Sequence, residues 1–224
     1  MPDQLVFDLP IETAFDREDY FVSDANALVV EQVRDWKNWV NGRLVLCGPT
    51  GSGKSHLASI WASDVEAEIV MPNEVSDWRP KAFARPVMID PVDADISEQS
   101  LLFLLNAMKE KALPVLCVMD TPPARSAIVL PDLKSRLEAS SLAELKAVDD
   151  GLIGAVLLKL MDERQLIVDP DVVAFALKHA ERDLTAVKKL VEMLDRLSLQ
   201  HKKAVTKRLV SDAIAKLKQG EEHE

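Results

Sequence analysis

The chain alternates between short continuous apolar runs and longer stretches in which apolar residues recur every three or four positions. Runs of the first kind are typical of strands covered on both faces of a parallel sheet, whereas the second spacing predicts helices. The predicted strands are residues 43–47, 67–70, 86–90, 114–119 and 141–148. The helices predicted among them are residues 23–40, 54–62 and 97–111. This order predicts an α/β domain at residues 23–149, after an extended tail at residues 1–22.

The pattern changes after residue 149, where no further strand is predicted and only amphipathic helices follow. These helices are residues 150–164, 170–180, 183–200 and 206–218. We therefore predict a second, small, all-helical domain at residues 150–224.

Composition and charge exclude several classes of protein. Hydrophobic residues make up 48% and charged residues 29%, which is typical of a chain with a packed core. Acidic residues outnumber basic ones, 37 to 27, which argues against a protein that mainly grips nucleic-acid backbones. The two cysteines, Cys47 and Cys117, lie in predicted strands and exclude a disulfide framework, so we expect a reducing, cytoplasmic location. Neither a membrane span nor a signal peptide is predicted.

A glycine-rich segment follows the first predicted strand and opens the next predicted helix. It fits the pattern G-x-x-x-x-G-K-[ST] in full and consists of Gly48, Pro49, Thr50, Gly51, Ser52, Gly53, Lys54 and Ser55. The glycines let backbone N–H groups turn toward a phosphate, and the start of the helix adds partial positive charge. Lys54 can reach the β and γ phosphates, and the Ser55 hydroxyl can ligate Mg²⁺. The segment therefore predicts a site for ADP or ATP with Mg²⁺.

An acidic residue at the end of a neighbouring strand provides the second part of such a site. Asp90 ends the predicted strand 86–90 and is a candidate for the acidic residue on the Mg²⁺ side of a Walker B element. The alternative is that Asp90 merely ends the strand. The acid that orients an attacking water would follow directly, but the next residue is Pro91. Asp93 and Asp95 lie nearby but out of register. We interpret this pattern as nucleotide binding without fast hydrolysis.

Two further polar residues are candidates for phosphate contacts. Asp120 follows the predicted strand 114–119 and is a candidate sensor of the γ-phosphate, although Asp-Thr-Pro-Pro is equally typical of a turn. Arg136 is predicted to follow a helix of at most four residues, just before the fifth strand. An arginine at the edge of the domain can neutralise phosphate charge on a neighbouring molecule, and a surface ion pair is the alternative.

Three segments together resemble one family. The loop GPTGSGKSHL, which includes His56, the strand-end TPP and the run LPDLKSRL are similar to the DnaA-related AAA+ proteins, above all to the shortened Hda type, the regulatory inactivators of DnaA. The resemblance covers nearly the whole chain. It implies an AAA+ P-loop NTPase fold, an αβα sandwich with a parallel sheet followed by a helical lid, and it implies that Arg136 is the arginine finger. The C-terminal DNA-binding domain of DnaA has no counterpart, so we expect no direct sequence-specific DNA binding.

The N-terminal tail adds to this resemblance. Hda proteins are similar in carrying a clamp-binding peptide of the form Q-L-x-L-x-L, which residues 4–9 match through Gln4, Leu5, Phe7 and Leu9, with Phe7 in place of a leucine. Such a segment binds in extended form, with its apolar side chains in pockets of the partner. The alternative is that residues 4–9 pack on the protein's own core.

Two further family positions are less regular. The sensor II arginine of the family, early in the lid helix, aligns with Thr185, and Arg182 is the nearest substitute that can approach the γ-phosphate. A solvated helix residue is the alternative for Arg182. Tyr20, Phe21 and Val22 match the adenine-side segment of the family, although aromatic packing would produce the same pattern.

The function that the resemblance implies is negative regulation of replication initiation. The protein would bind ADP or ATP, dock on the DNA-loaded sliding clamp and promote hydrolysis of the ATP held by DnaA, with weak ATPase activity of its own at most. A homo-oligomer is compatible with this function, and no membrane partner is expected. Two alternatives remain: an autonomous P-loop ATPase or small-molecule kinase, and a DnaA-binding tether that does not stimulate hydrolysis.

Overall fold

The structure is a computed structural model, and it describes residues 20–71, 83–92, 96–180, 183–201 and 204–221. Several residues singled out above lie outside the described residues; they are the clamp-binding candidates at residues 4–9, Asp93, Asp95 and Arg182. The interpretations of these residues therefore stay predictions.

A five-stranded sheet, parallel throughout, forms the centre of the first half of the chain. Its strands are β1 (Arg43–Cys47), β2 (Glu68–Val70), β3 (Val87–Ile89), β4 (Val115–Met119) and β5 (Ser141–Glu144). The order across the sheet is β2-β3-β4-β1-β5, so β1 and β4 are central. All five strands were predicted, and β5 ends earlier than the predicted segment 141–148. The predicted parallel α/β fold is confirmed.

Helices cover both faces of this sheet, and the alternation of side chains along β1 shows why. Leu44 and Leu46 pack with helices α1 (Ala27–Arg34) and α2 (Lys54–Asp64) in one core. Val45 and Cys47 point the other way, into a second core with α3 (Glu98–Glu110) and α4 (Pro131–Glu138). Each strand residue of β1 is therefore buried, which explains its continuous apolar character.

Two predicted helices differ from those observed. The helix predicted at residues 23–40 ends at Arg34, and two short 3₁₀ turns, Trp36–Asn38 and Val40–Gly42, follow it. Asn41 and Gly42, with left-handed φ of 55° and 65°, end the second turn just before β1. The helix before β5 was predicted to have at most four residues and to precede Arg136. It is instead the eight-residue α4, which contains Arg136, because Pro131 starts it and Leu133 and Leu137 bury one face.

The second half of the chain is helical, as predicted. Its helices are α5 (Asp150–Glu163), α6 (Pro170–His179), α7 (Leu184–His201) and α8 (Lys207–Glu221). They share a third apolar core, and the Asp149 carboxylate caps α5 by accepting a hydrogen bond from the Leu152 N–H at 2.7 Å. In the part of the chain that the structure describes, no helix is both long and apolar enough to cross a membrane.

Candidate nucleotide-binding site

The glycine-rich loop connects the end of β1 to the start of α2, as predicted. Gly51 and Gly53 have φ of 74° and 90°, a backbone region that favours glycine. A Cβ at Gly53 would lie 3.3 Å from Leu184 Cδ1, and one at Gly51 would overlap the carboxylate of Asp183. Glycine is therefore required here both for the turn of the loop and for the approach of the second half of the chain.

Lys54 is the buried cation of this loop, with only 7% of its surface exposed. Its Nζ donates to the carbonyl oxygens of Gly48 and Pro49 at 2.8 and 2.9 Å. The Asp120 carboxylate, from the end of β4, lies 3.1 Å from the same nitrogen. The structure thus brings together two candidate residues that lie far apart in the sequence.

A cavity of about 600 Å³ opens beside this loop. Its lining includes Thr50, Lys54, Ser55, Asp90 and Asp120, together with Leu184, Thr185 and Lys188 from α7. Ser52 is 4% exposed, and its hydroxyl has no hydrogen-bond partner in the part of the chain that the structure describes. The Ser52 hydroxyl, the backbone N–H groups of the glycine-rich loop and the Lys54 ammonium group are hydrogen-bond donors that a bound phosphate could accept from.

The same cavity holds the two predicted Mg²⁺ ligands, the Ser55 hydroxyl and the Asp90 carboxylate. Among the described residues, no cluster of three or more His, Cys, Asp or Glu side chains could hold a metal ion without other ligands. Magnesium keeps several waters and is usually bound through one or two protein groups plus phosphate oxygens, so Ser55 and Asp90 stay the predicted ligands.

A second cavity, of about 450 Å³, adjoins the first and shares His56, Leu184 and Lys188 with it. Tyr20 and Phe21 line it, whereas Val22 packs against the core around α1 and α2 instead. Tyr20 meets the His56 ring edge-on at 5.5 Å. Its buried hydroxyl lacks a hydrogen bond of good geometry, and burial raises the pKa of Tyr20 to about 12. The cavity has the amphipathic lining that a nucleoside requires.

The N-terminus of α7 docks directly on the glycine-rich loop. The Leu184 N–H donates to the Gly51 carbonyl at 3.1 Å. The Asp183 carboxylate caps the helix by accepting from the N–H groups of Thr185 and Ala186 at 2.6 and 3.0 Å, and it lies against Gly51. The helical half of the chain therefore closes one side of the candidate site.

Sequence reasoning missed two residues at this site, Asp183, which caps α7, and Lys188 within α7. Thr185, which was predicted to align with the sensor II arginine, lines the first cavity and carries no charge. Lys188 lines both cavities. Helical spacing could have identified Lys188, because it lies one turn beyond Leu184 on the same face of the helix.

Arg136 lies far from this loop within the domain. Its helix leads into the start of β5, so it occupies the edge of the sheet where strands begin, whereas the glycine-rich loop follows the end of β1. Arg136 is half-buried, and its guanidinium has no hydrogen-bond or ion-pair partner in the described part of the chain. Arg125, in the same region of the sequence, is instead paired with Glu144 at 3.1 Å.

Solved structures of the same fold include DnaA and RuvB. Domain III of DnaA from Thermotoga maritima matches with a TM-score of 0.77 at 16% identity, over 88% of this chain and 94% of that one. DnaA from Aquifex aeolicus, with bound AMPPCP, matches with a TM-score of 0.66 at 14% identity, over 80% of this chain and 64% of that one. RuvB from Thermotoga maritima, a Holliday junction branch migration motor, matches with a TM-score of 0.63 at 14% identity, over 84% of this chain and 68% of that one. The fold is therefore the AAA+ fold of the DnaA kind.

Sequence comparisons refine this class. Residues 153–214 match the family model described as "Hda, lid domain". An uncharacterized protein of Haemophilus influenzae is 24% identical over 204 residues, which are 83% of this chain and 87% of that protein. The predicted resemblance is thus confirmed: residues 153–214 are similar to the lid domain of the Hda type, and the chain shares the fold of domain III of DnaA.

Proposed function

We propose that this protein is a nucleotide-binding regulator that turns off the initiator DnaA by promoting hydrolysis of the ATP that DnaA holds. The protein binds ADP or ATP with Mg²⁺ as a structural ligand, acts in the cytoplasm and reaches DnaA while docked on the DNA-loaded sliding clamp. The observation that carries the proposal is the placement of Arg136, an unpaired guanidinium at the sheet edge opposite the protein's own glycine-rich loop.

Nucleotide binding is supported by the groups around the first cavity. Backbone N–H groups of the glycine-rich loop and Lys54 would hold the phosphates, and Ser55 and Asp90 would hold Mg²⁺. Tyr20 and Phe21 lie where the nucleoside would extend into the second cavity. DnaA of Aquifex aeolicus, which shares the fold, has been crystallised with the ATP analogue AMPPCP.

Weak hydrolysis at this site follows from the identity of its acids. Asp90 is followed by Pro91, so no carboxylate stands next to it to orient a water molecule. The other carboxylate in the cavity lining, Asp120, is engaged with Lys54 at 3.1 Å. We infer that the bound nucleotide organises the loop and α7 rather than turning over rapidly.

Action on a second molecule follows from the position of Arg136. Because the strands of a parallel sheet begin at one edge and end at the other, Arg136 and the protein's own phosphate site lie at opposite edges. Its guanidinium can therefore meet only the nucleotide of a neighbouring molecule. There it would neutralise charge on the transferred phosphoryl oxygens, an effect worth about 10³–10⁵ in rate for arginine fingers.

The experiment measures conversion of DnaA-bound ATP to ADP on clamp-loaded DNA, with and without this protein. Arg136→Ala and Arg136→Lys should both bind nucleotide normally and fail to stimulate, because a lysine lacks the planar fork of the guanidinium. Arg125→Ala is the matched control, since Arg125 is exposed and paired with Glu144, and it should stimulate like the wild type. Full stimulation by Arg136→Ala would refute the proposal.

A further inference from the structure

Arg43, the first residue of β1, is a buried charge with no partner among the described residues. It is 4% exposed, and its Nε and Nη1 make no hydrogen bond. No acidic side chain in the described part of the chain forms an ion pair with it. Burial lowers the pKa of Arg43, the nearby Cys117 thiol opposes this, and the charge of Arg136 lowers it further. A buried cation of this kind is rare, because burial of an unpaired charge is strongly unfavourable.

The fold explains why Arg43 lies beneath the end of α4 that carries Arg136. Side chains alternate along β1, so Arg43 shares the face of Val45, which packs with Leu137 of α4 in the second core. The residues just before Arg43 are tied to those just after α4. The Asn41 amide donates to the Ala139 carbonyl at 3.1 Å, and the Val40 N–H donates to the Ser141 hydroxyl at 2.9 Å.

This arrangement places two guanidinium groups at one edge of the sheet, and no acid among the described residues forms an ion pair with either of them. The lower one, Arg43, is fixed in the sheet and packed on all sides, whereas Arg136 is half-buried and has solvent on one side. Like charges repel most strongly where water is excluded. Repulsion from below therefore disfavours every conformation in which Arg136 folds back onto the sheet edge.

We propose that Arg43 is a positioning residue, whose charge holds the Arg136 side chain extended from the surface and raises the positive potential that an incoming phosphate meets. This inference rests on the proposed action of Arg136 on the nucleotide of a neighbouring DnaA molecule. It assigns a function to the buried charge of Arg43, which forms no ion pair with any described residue and is unfavourable to bury. The polyphosphate of the neighbouring molecule is attracted by both positive charges, but only Arg136 is exposed enough to touch it.

The test compares Arg43→Met, which keeps an unbranched side chain without the charge, with Arg43→Lys, which keeps the charge. Arg43→Met should melt at a higher temperature than the wild type, because an uncompensated buried charge is replaced by apolar packing. Its stimulation of DnaA-bound ATP hydrolysis should nevertheless fall by about tenfold, because the substitution removes the repulsion between two like charges at an intermediate dielectric constant. Arg43→Lys should restore most of the stimulation, and all variants should bind nucleotide alike, since the loop lies at the other edge.

Arg136→Ala in the same assay separates the two proposals. Full stimulation by Arg136→Ala would end both, because there would be no finger to position. Loss with Arg136→Ala together with wild-type stimulation by Arg43→Met would overturn only the role of Arg43. A lower melting temperature or failure to fold in Arg43→Met, without rescue of stimulation in Arg43→Lys, would show that Arg43 is structural and would also overturn the inference.

Discussion

The ammonium group of Lys54 lies 3.1 Å from the carboxylate of Asp120, which comes from the end of a different strand. The two meet because β4 lies beside β1 in the sheet. With the carbonyls of Gly48 and Pro49, the carboxylate gives the buried lysine three oxygen partners in the absence of phosphate. A phosphate that binds at the loop must replace some of these oxygen atoms around Lys54. Substitutions of Lys54 and of Asp120 should therefore affect nucleotide binding differently.

Lys54→Ala should weaken nucleotide binding by about 10- to 100-fold, the effect of losing a charged hydrogen bond worth ~1.5–3 kcal/mol. Asp120→Asn should change affinity by no more than about fivefold, because an ion pair to a half-exposed carboxylate contributes about 0–1 kcal/mol. The Asp120 side chain is 56% exposed. Titration with a fluorescent ADP analogue measures both. Wild-type affinity in Lys54→Ala would contradict the assignment of the loop, and an equal loss in Asp120→Asn would show that Asp120 binds the nucleotide itself.

Gly51→Ala should destabilise the protein more than Gly42→Ala. Both residues have left-handed backbone, with φ of 74° and 65°, so both substitutions strain the backbone by about 1–2 kcal/mol. Only at Gly51 would the new Cβ overlap Asp183, since the nearest atom to a Cβ at Gly42 is the Leu113 carbonyl oxygen at 3.9 Å. Thermal unfolding of both variants measures the difference.

A second substitution checks the cause of that difference. In the double variant Gly51→Ala with Asp183→Ala, the overlap is gone, and part of the extra destabilisation should disappear. Equal melting temperatures of the Gly51→Ala and Gly42→Ala variants would mean that α7 does not rest on the loop in solution.

Asp183→Asn should strengthen binding of nucleotide, because it removes a negative charge beside the loop while keeping an oxygen that can cap α7. We expect a gain of about two- to tenfold at low salt, on the scale of one screened charge near a surface. Asp149→Asn is the matched control, since Asp149 caps α5 in the same way and does not approach Gly51.

The salt dependence of that gain provides a further criterion. The difference between wild type and Asp183→Asn should shrink as salt screens the charge, and Asp149→Asn should show no gain at any salt concentration. Weaker nucleotide binding by Asp183→Asn would contradict a repulsive role and would indicate that the carboxylate contacts the ligand through Mg²⁺ or water.

Simultaneous substitution of Gln4 and Leu5 by Ala should abolish capture by the purified sliding clamp, because it removes the polar and apolar anchors of the motif. Melting temperature and nucleotide affinity should stay at wild-type values. Substitution of Val6 and Asp8, the variable positions of the same motif, is the matched control and should leave capture intact. Retention of the Gln4 and Leu5 variant on the clamp would exclude this segment as the docking peptide.

Local patterns in the sequence were sufficient for the strands, the helices of the second half and the glycine-rich loop. A loop that binds phosphate through its own backbone, next to a strand and a helix, is determined by consecutive residues, so Gly51 and Lys54 could be recognised without any tertiary contact. The same holds for β1, whose continuous apolar run reflects burial on both faces. The error at α4 was also local, because the helix length before β5 was underestimated although Leu133 and Leu137 have helical spacing.

Contacts between distant segments were decided only by the tertiary structure. Periodicity says which residues face a core, but strand order and helix docking determine which charges meet. Strand order brings Asp120 to Lys54. The docking of α7 brings Asp183 to Gly51 and Lys188 to the boundary of the two cavities. The packing of α4 over the start of β1 brings Arg136 close to Arg43. In the sequence Arg43 is only the polar first residue of an apolar run. Its burial without a partner becomes visible only when the sheet and α4 enclose it.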